Sequence, residues 1–546
     1  MRFAKWIVVG LMFAAPTVRA ADAKPATPTV LVQIQSIDGL IAGAKYIATL
    51  AGHGEQANQV EKMLPQFLGA KGLGGTGIDT TKPWGFYGIL DPQIPNSPVV
   101  VLIPVTDEKT FVDSLTTYAG FAPQANVKIA KGDDGIYSVT SAAPVAVYFT
   151  VADGYAYFTG LRQESIAKAN RLDAGKLLTA DDKTLVRATA RLDAIDPTFK
   201  QIALGQFENQ VAAAKEQSKP KETAAQKKLR GDVIDYVSGQ VKSLLTDGQA
   251  VDFRLVLDRK VEQIGAELTL TAAPGSPLAQ SIAAAGKRES RFGPLNGSAG
   301  YAALNVALPE PLRGPLMAAV EEGFNQQQAG QKDAVKKALG QKAFDALKPT
   351  LEAEELDLFV ALLGPNSAGR FTAAGGIKLK DAPRVDQLVR DLIKIAPDPK
   401  AQEAIKFDAE TVGEVKVHRV DPPELDAEAK RIFGGDAVAF FAFPTNAQVA
   451  AFGADAAQAL RQVLAATGKP GGPFRAEGSV GRLAGLDKDA GAAAKKAAGE
   501  AFGSDHQSDI VRISVSGGEL LRLRASMKTQ VIKFGVKMDE AKKGGQ

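Results

Sequence analysis

The sequence predicts an α+β protein of two similar lobes from a tandem duplication, each lobe an antiparallel sheet with helices packed on one face. Three observations predict it: strands that alternate apolar and polar residues across short turns, helices of 3.6-residue periodicity between them, and the same element order met twice. The 546 residues exceed one hydrophobic core, and 45% hydrophobic with 23% charged residues is the composition of a folded chain.

The chain opens with Arg2 and Lys5, ten apolar residues from Trp6 to Ala15, a helix-breaking Pro16 and the small-residue site Val18-Arg19-Ala20. This pattern predicts a signal peptide over 1–20, cleaved near Ala20, because ten apolar residues are too few to span a bilayer. The mature chain is therefore expected to be exported, periplasmic or extracellular. Cleavage removes Arg2, Lys5 and Arg19 and no acid, so the formal net charge falls from +4 to +1. A nearly neutral chain has no global field to steer nucleic acid, and none is expected as a partner. No later run reaches eighteen apolar residues, so no transmembrane segment is expected in the mature chain. With no Cys, disulfides, thiolate catalysis, Cys-ligated metals and a lipoprotein anchor are excluded.

Val30, Val32 and Ile34 alternate with Leu31, Gln33 and Gln35 in a strand at 30–35, and Leu40, Ile41, Tyr46, Ile47 and Leu50 recur at helical spacing over 37–50. A helix at 55–68, a Gly-rich loop at 69–77, an aromatic segment at 84–88, a strand at 99–105 and a helix at 107–118 follow. Strands at 127–129, 136–139, 145–151 and 155–158 and a helix at 163–170 form an intervening unit. The first order then returns: a strand at 184–195, helices at 197–217 and 224–245, a hairpin of 251–257 with 263–271, and a helix at 277–285.

A third copy has a strand at 300–308, helices at 310–328 and 332–347, strands at 356–363 and 371–379, and a helix at 382–395. Strands at 412–420 and 437–443 and a helix at 454–464 mirror the intervening unit. The last copy has a strand at 474–483, a helix at 488–502 and strands at 509–515, 520–528 and 531–538. The repeat places the lobes at 21–290 and 291–546, a period far longer than that of a solenoid. Val251, Phe253, Leu255 and Leu257 point to one side and Asp252, Arg254 and Asp258 to the other. Helices are expected over the apolar side, so exposure of Phe253 and Leu255 contradicts this form of the fold. The stretches 215–230 and 325–333, rich in Lys, Gln and Glu, read as solvated tips of helical hairpins.

Motifs for chemistry are sparse. Gly72-Leu73-Gly74-Gly75-Thr76-Gly77 matches GxGxxG but follows a helix, so it lacks the strand-then-helix context of a dinucleotide site. His53, His418 and His506 are far apart in sequence, and no HExxH occurs. Asp505, His506 and Asp509 form the one local His–carboxylate cluster, in a turn before a strand. Gly297-Ser298-Ala299-Gly300 and Gly478-Ser479-Val480-Gly481 each fall one residue short of a GxSxG elbow. The acidic pairs at 133–134, 181–182, 321–322 and 354–355 read as solvated charges, with no aromatic platform placed beside them.

Two features stand above this background. Trp84, Phe86 and Tyr87 alternate with Gly85 and Gly88 beside Pro83, a pattern that lets a ligand or a neighbouring backbone approach closely. Arg512, Arg522, Arg524, Lys528, Lys533 and Lys537 fall opposite the apolar residues of the C-terminal meander, as a basic face for an anionic polymer or lipid.

The run Gly77-Ile78-Asp79-Thr80-Thr81-Lys82-Pro83-Trp84-Gly85, after a signal peptide and a helical pair, resembles a segment of uncharacterised secreted proteins from planctomycete-type bacteria. The resemblance implies export and a duplicated strand–helix chain, and it brings no activity with it. The sequence thus points to an exported, non-enzymatic binding or scaffolding protein of the bacterial envelope, with no cofactor. The alternative is a periplasmic carrier that holds a lipid-like apolar ligand between sheet and helices. A hydrolase using Asp505 and His506 is the third reading.

Overall fold

The computed structural model describes residues 27–59, 75–91, 97–120, 126–141, 146–160, 162–179, 181–217, 222–330, 333–394, 399–422, 424–466, 468, 472–486, 491–503 and 507–544. The sequence-predicted signal peptide and most of the helix at 55–68 lie outside these residues. The chain divides into two compact units, one of residues 1–205 and 248–273 and one of residues 206–247 and 274–546.

The first unit holds strands β1 Val30–Ile34, β2 Trp84–Gly88, β3 Val99–Pro104, β4 Lys128–Lys131, β5 Tyr137–Thr140, β6 Val147–Ala152, β7 Tyr155–Gly160, β8 Thr184–Arg191, β9 Gly248–Asp258 and β10 Gln263–Ala272. Its helices include α1 Ile37–Leu50, α2 Glu108–Gly120 and the short α3 Ala174–Leu177, and residues 54–59 are helical as well. The strands pair in the order β10-β9-β8-β1-β2-β3-β7-β6-β5-β4, antiparallel throughout. Asp153 and Gly154, at φ 53° and 76°, supply the left-handed turn that closes β6 onto β7. The helix predicted at 163–170 is reduced to a 3₁₀ turn, Gln163–Ile166.

A long helix, α4 (Pro197–Glu216), and α5 (Ala224–Asp247) lead on. Lys242 Nζ reaches Glu208 Oε1 at 2.5 Å between them, and Glu322 Oε2 caps α5 by accepting from Thr223 Oγ1 (2.7 Å) and the Ala225 N–H (2.9 Å). The second unit continues with α6 Pro277–Gly286, α7 Glu310–Ala329, α8 Ala334–Leu351, α9 Ala382–Lys394, α10 Pro399–Glu403, α11 Ala427–Phe433, α12 Ala456–Ala465, α13 Val480–Leu483, α14 Gly491–Phe502 and α15 Gln530–Gly544. Its strands are β11 Ser298–Ala307, β12 Glu355–Leu363, β13 Thr372–Lys378, β14 Ile405–Val412, β15 Val415–Val420, β16 Val438–Ala442, β17 Ala447–Gly453, β18 Phe474–Ser479, β19 Ile510–Ser516 and β20 Leu521–Lys528. They pair antiparallel as β20-β19-β18-β11-β12-β13-β17-β16-β15-β14. Adding ten to each strand number of the first unit gives this order.

Three predicted elements change character. The segment 531–538 is helical, inside α15, because Val531, Phe534 and Met538 follow helical spacing and pack against Phe502 of α14. The segment 474–483 is a strand only to Ser479, whose side chain then caps α13 by accepting from the Arg482 N–H. The strand predicted at 412–420 is the turn and second strand of a hairpin, β14 with β15, that turns on Gly413 at φ 62° and whose first strand at 405–412 is not predicted.

Where β2, β3 and β7 meet, each face of the first sheet has its own core. Tyr87, Val100, Leu102, Tyr155 and Tyr157 are closed on one side by Ile166, Ala174 and Leu178. On the other side α2 places Phe111 against Phe149 and Ala156. The second unit repeats this: α12 covers Tyr301, Phe359, Val449 and Phe440, while α8 and α9 gather Ala346, Val385 and Leu388 against Ile377 and Phe443. Helices therefore lie on both faces of each sheet, which corrects the one-sided arrangement.

The second correction concerns β9 and β10. Phe253 is 37% exposed, Leu268 41% and Leu255 half-buried, whereas Asp252 on the polar side is only 8% exposed. Helix α1 reaches only the end of that apolar side, where Gly43 faces Leu257 (a Cβ there would sit 3.4 Å from Leu257 Cδ2). The expected dry, helix-covered face is thus overturned at this place.

Gly85 shows what the aromatic segment needs glycine for. A Cβ at Gly85 would lie 2.1 Å from the Val32 carbonyl oxygen of β1, so a strand backbone, not a ligand, occupies that space. Gly88 has nothing closer than 3.9 Å. Gly85→Ala is expected to destabilise the first unit by at least about 2 kcal/mol, and Gly88→Ala by no more than about 0.5, in urea unfolding. Equal effects would contradict this packing.

Candidate functional site

On an antiparallel sheet, residues directly opposite in register share a face. In the first unit one such row reads Leu268, Phe253, Ala188, Val32, Phe86, Val101 across β10-β9-β8-β1-β2-β3. The row on one side of it reads Leu270, Val251, Ala190, Val30, Gly88, Val99, and the row on the other reads Ala266, Leu255, Val186, Ile34, Trp84. Every member is apolar. The second unit carries the same arrangement. Leu523, Val515, Phe474, Leu304, Leu358 and Ile377 form one row, and Ala525, Ile513, Ala476, Ala302, Val360 and Gly375 the next.

These faces are not sealed. Val30 and Val99 are exposed beside Phe253 and Leu268 in the first unit; in the second, Val360 is 59% exposed and Ile513 and Leu523 42% each. Strands β9, β8, β1, β2 and β3 are paired along both edges, so their backbone donors and acceptors are committed within the sheet. What this surface offers a ligand is dispersion and release of water.

The opposite side of the same strands is polar. Asp252 Oδ2 accepts from Arg187 Nε (2.6 Å) and Thr189 Oγ1 (2.7 Å), and its Oδ1 accepts from Arg254 Nε (2.6 Å). Burial alone would raise the Asp252 carboxyl, but these hydrogen bonds from Thr189, Arg187 and Arg254 hold it below the usual range. In the second unit Glu477 Oε2 plays this part, accepting from Arg512 Nε at 2.8 Å.

The predicted site residues separate accordingly. Trp84 and Phe86 lie on the apolar open side, and the Trp84 Nε1 is buried with no acceptor among the described residues. Tyr87 faces the other way into the core, where burial pushes its phenol up to about 12. Arg512, Arg522, Arg524 and Lys528 share the polar face of β19 and β20, as the pairs Arg512–Ser526, Ser514–Arg524 and Ser516–Arg522 establish. Lys533 and Lys537 stand on α15, so the six do not form one sheet face; Lys537 Nζ pairs with Glu540 at 2.8 Å. Asp505 and His506 lie outside the described residues. Asp509 is fully buried at the start of α13, where it accepts from Ser479 Oγ and from the Gly481 N–H at 3.1 Å. No group of three or more His, Asp or Glu able to hold a metal occurs among the described residues.

One polar cluster has no counterpart in the sequence reading. His418, on β15, is fully buried among Phe407, Phe441 and Phe443. The Asp408 N–H donates to its Nδ1 at 3.1 Å, which leaves the proton on Nε2, 3.2 Å from Asp386 Oδ1. Arg390 of α9 joins the two acids, 3.0 Å from Asp386 and 2.6 Å from Asp408, and Lys416 lies 3.5 Å from Asp408. Sequence gave no signal for it, because its members come from α9, β14 and β15.

Comparison of the chain with protein-family models, with characterised proteins and with solved structures gives no match.

Burial lowers the His418 pKa below its ordinary 6.5, aided by Arg390 and opposed by Asp386 and Asp408. Below pH 6.5 the unfolded chain therefore binds a proton that the folded chain refuses, and stability falls with pH down to the lowered value. The expected slope is at most about 1.4 kcal/mol per pH unit. Urea unfolding between pH 7 and about 5 should show it in the wild type and not in His418→Asn. An unchanged slope in the variant would assign it elsewhere.

Proposed function

We propose that this is an exported, non-enzymatic protein of the bacterial envelope that carries acyl-chain ligands on the open apolar faces of its two sheets. The observation that carries the reading is the unbroken run of apolar rows across six strands, left partly exposed in each unit. A contiguous exposed apolar patch on a folded protein is often its functional surface.

Size argues for a small ligand over a macromolecule. Six strands at about 4.8 Å spacing and three rows about 7 Å apart make a patch on the order of 400 Å². A stable protein interface needs about 800 Å² from each partner. An extended acyl chain needs no hydrogen bonds and fits a surface that has none to give. No helix among the described residues is long and apolar enough to cross a membrane. Export rests on the segment 1–20.

The tandem duplication belongs to the same proposal. It is supported by the common strand order and by the helix after the third strand of each unit. Asp107 caps α2 through the Thr110 N–H (2.6 Å), and Asp381 caps α9 through the Arg384 N–H (3.2 Å). Beneath these helices, Tyr137 bonds Glu108 at 2.7 Å on β5, and His418 meets Asp386 on β15. Two copies of one unit give two copies of one surface.

Trp84 provides the test, since the chain has only one other Trp, Trp6. Titration with a bromine-labelled stearate should quench Trp84 fluorescence saturably, and Trp84→Phe should remove that quenching. The pair Phe253→Glu and Leu268→Glu should weaken binding about tenfold or more, at roughly 1.4 kcal/mol per decade. Absence of quenching, or indifference to both glutamates, would contradict the reading.

A further inference from the structure

We infer that the second unit holds a separate binding site for a free apolar α-amino acid, distinct from the open sheet faces. A cavity of about 560 Å³ lies between the segment 289–292, the β13 and β17 strands and the C-terminal end of α12. That volume is in the range of small-molecule sites and far above what one water needs. Phe292, Val449, Val463 and Leu464 supply its apolar lining, and Glu289 and Arg291 its charges, with Lys378 committed to Glu355.

The wall that bears the charges is fixed from behind. Asp357 of β12 is 1% exposed, and both of its oxygens serve this wall: Oδ1 accepts from Ser290 Oγ and Oδ2 from the Arg291 N–H, each at 2.7 Å. Ser290 Oγ accepts in turn from the Phe292 N–H at 3.0 Å, and the Tyr301 hydroxyl donates to the Phe292 carbonyl at 3.3 Å. The Phe292 ring sits over Gly376, where a Cβ would come within 2.8 Å of it. Gly468 closes the wall from the other side, for a Cβ there would meet the Ser290 carbonyl oxygen at 2.0 Å. A carboxylate taken out of water is costly unless its hydrogen bonds are all useful. Here they hold the segment 289–292 in place, which is the preorganisation a small-molecule site needs.

Glu289 and Arg291 flank the anchored Ser290, and both line the same cavity. Both are exposed, and neither has an ion-pair partner among the described residues. One anion and one cation above an apolar pocket match a zwitterion with an apolar side chain: the guanidinium takes the carboxylate, the Glu289 carboxylate takes the ammonium, and Phe292, Val463 and Leu464 take the side chain.

Calorimetric titration of the full chain with phenylalanine tests the assignment, beside two analogues that each lack one charge. Hydrocinnamate has no ammonium and phenethylamine no carboxylate. Phenylalanine should bind about tenfold or more tighter than either. Glu289→Gln should abolish its advantage over hydrocinnamate, and Arg291→Ala its advantage over phenethylamine. Both positions are exposed, so thermal melts should match the wild type. Ala466→Phe, which narrows the cavity, should abolish binding of all three while leaving stearate quenching of Trp84 in place. No binding of phenylalanine, equal affinity for hydrocinnamate, or binding indifferent to both charge variants would overturn the proposal.

Discussion

In both sheets the interior strands spend their backbone hydrogen bonds on two neighbours, and this single constraint governs what the protein can recognise. With N–H and C=O groups committed in register from β10 to β4 and from β20 to β14, each face is defined by the side chains that alternate onto it. Where helices land on both faces, as at β3–β7 and β13–β17, the result is a closed core. Over Phe253, Leu268, Ile513 and Leu523 an apolar surface stays partly accessible. The polar face of the same strands is tied down by paired charges, with Asp252 between two arginines and Glu477 beside Arg512. The sheet is thus most tightly knit on its polar side.

Carboxylates recur as positioning devices. Asp252 joins β8 to β9, Asp357 anchors the segment before β11, Asp509 starts α13, and Asp386 and Asp408 bracket His418. Asp252 and Asp357 accept on both of their oxygens, from guanidinium, hydroxyl and backbone groups, the condition under which a charge is tolerated inside a protein. None is grouped with other ligands as a metal site among the described residues. The chemistry that these acids perform is architectural, and it leaves recognition to the apolar faces and to the cavity wall.

Much of the strand pattern is legible because alternation is a local signal: it predicts a hairpin of 251–257 with 263–271, which β9 and β10 form. The segment 531–538 misled because Val531, Phe534 and Met538 satisfy a helical period while Ile532, Phe534 and Val536 satisfy an alternating one. The Ala-rich β17 carried too little contrast to register as a strand of its own. Alternation identifies which residues share a face, but what covers that face depends on where helices pack, and so the exposure of Phe253 was invisible. The Asp357–Ser290 bond joins residues 67 apart, and the His418 cluster spans three elements, so neither leaves a mark in any short window.

The central claim, that the open sheet faces hold acyl chains, is tested most directly by native mass spectrometry of the protein purified from its own host without detergent. The account predicts a bound population heavier than the bare chain by the mass of acyl-bearing lipid, lost when Phe253, Leu268, Ile513 and Leu523 are replaced by glutamate. A bare chain as the sole species, in a preparation that retains lipid on a known carrier, would contradict it.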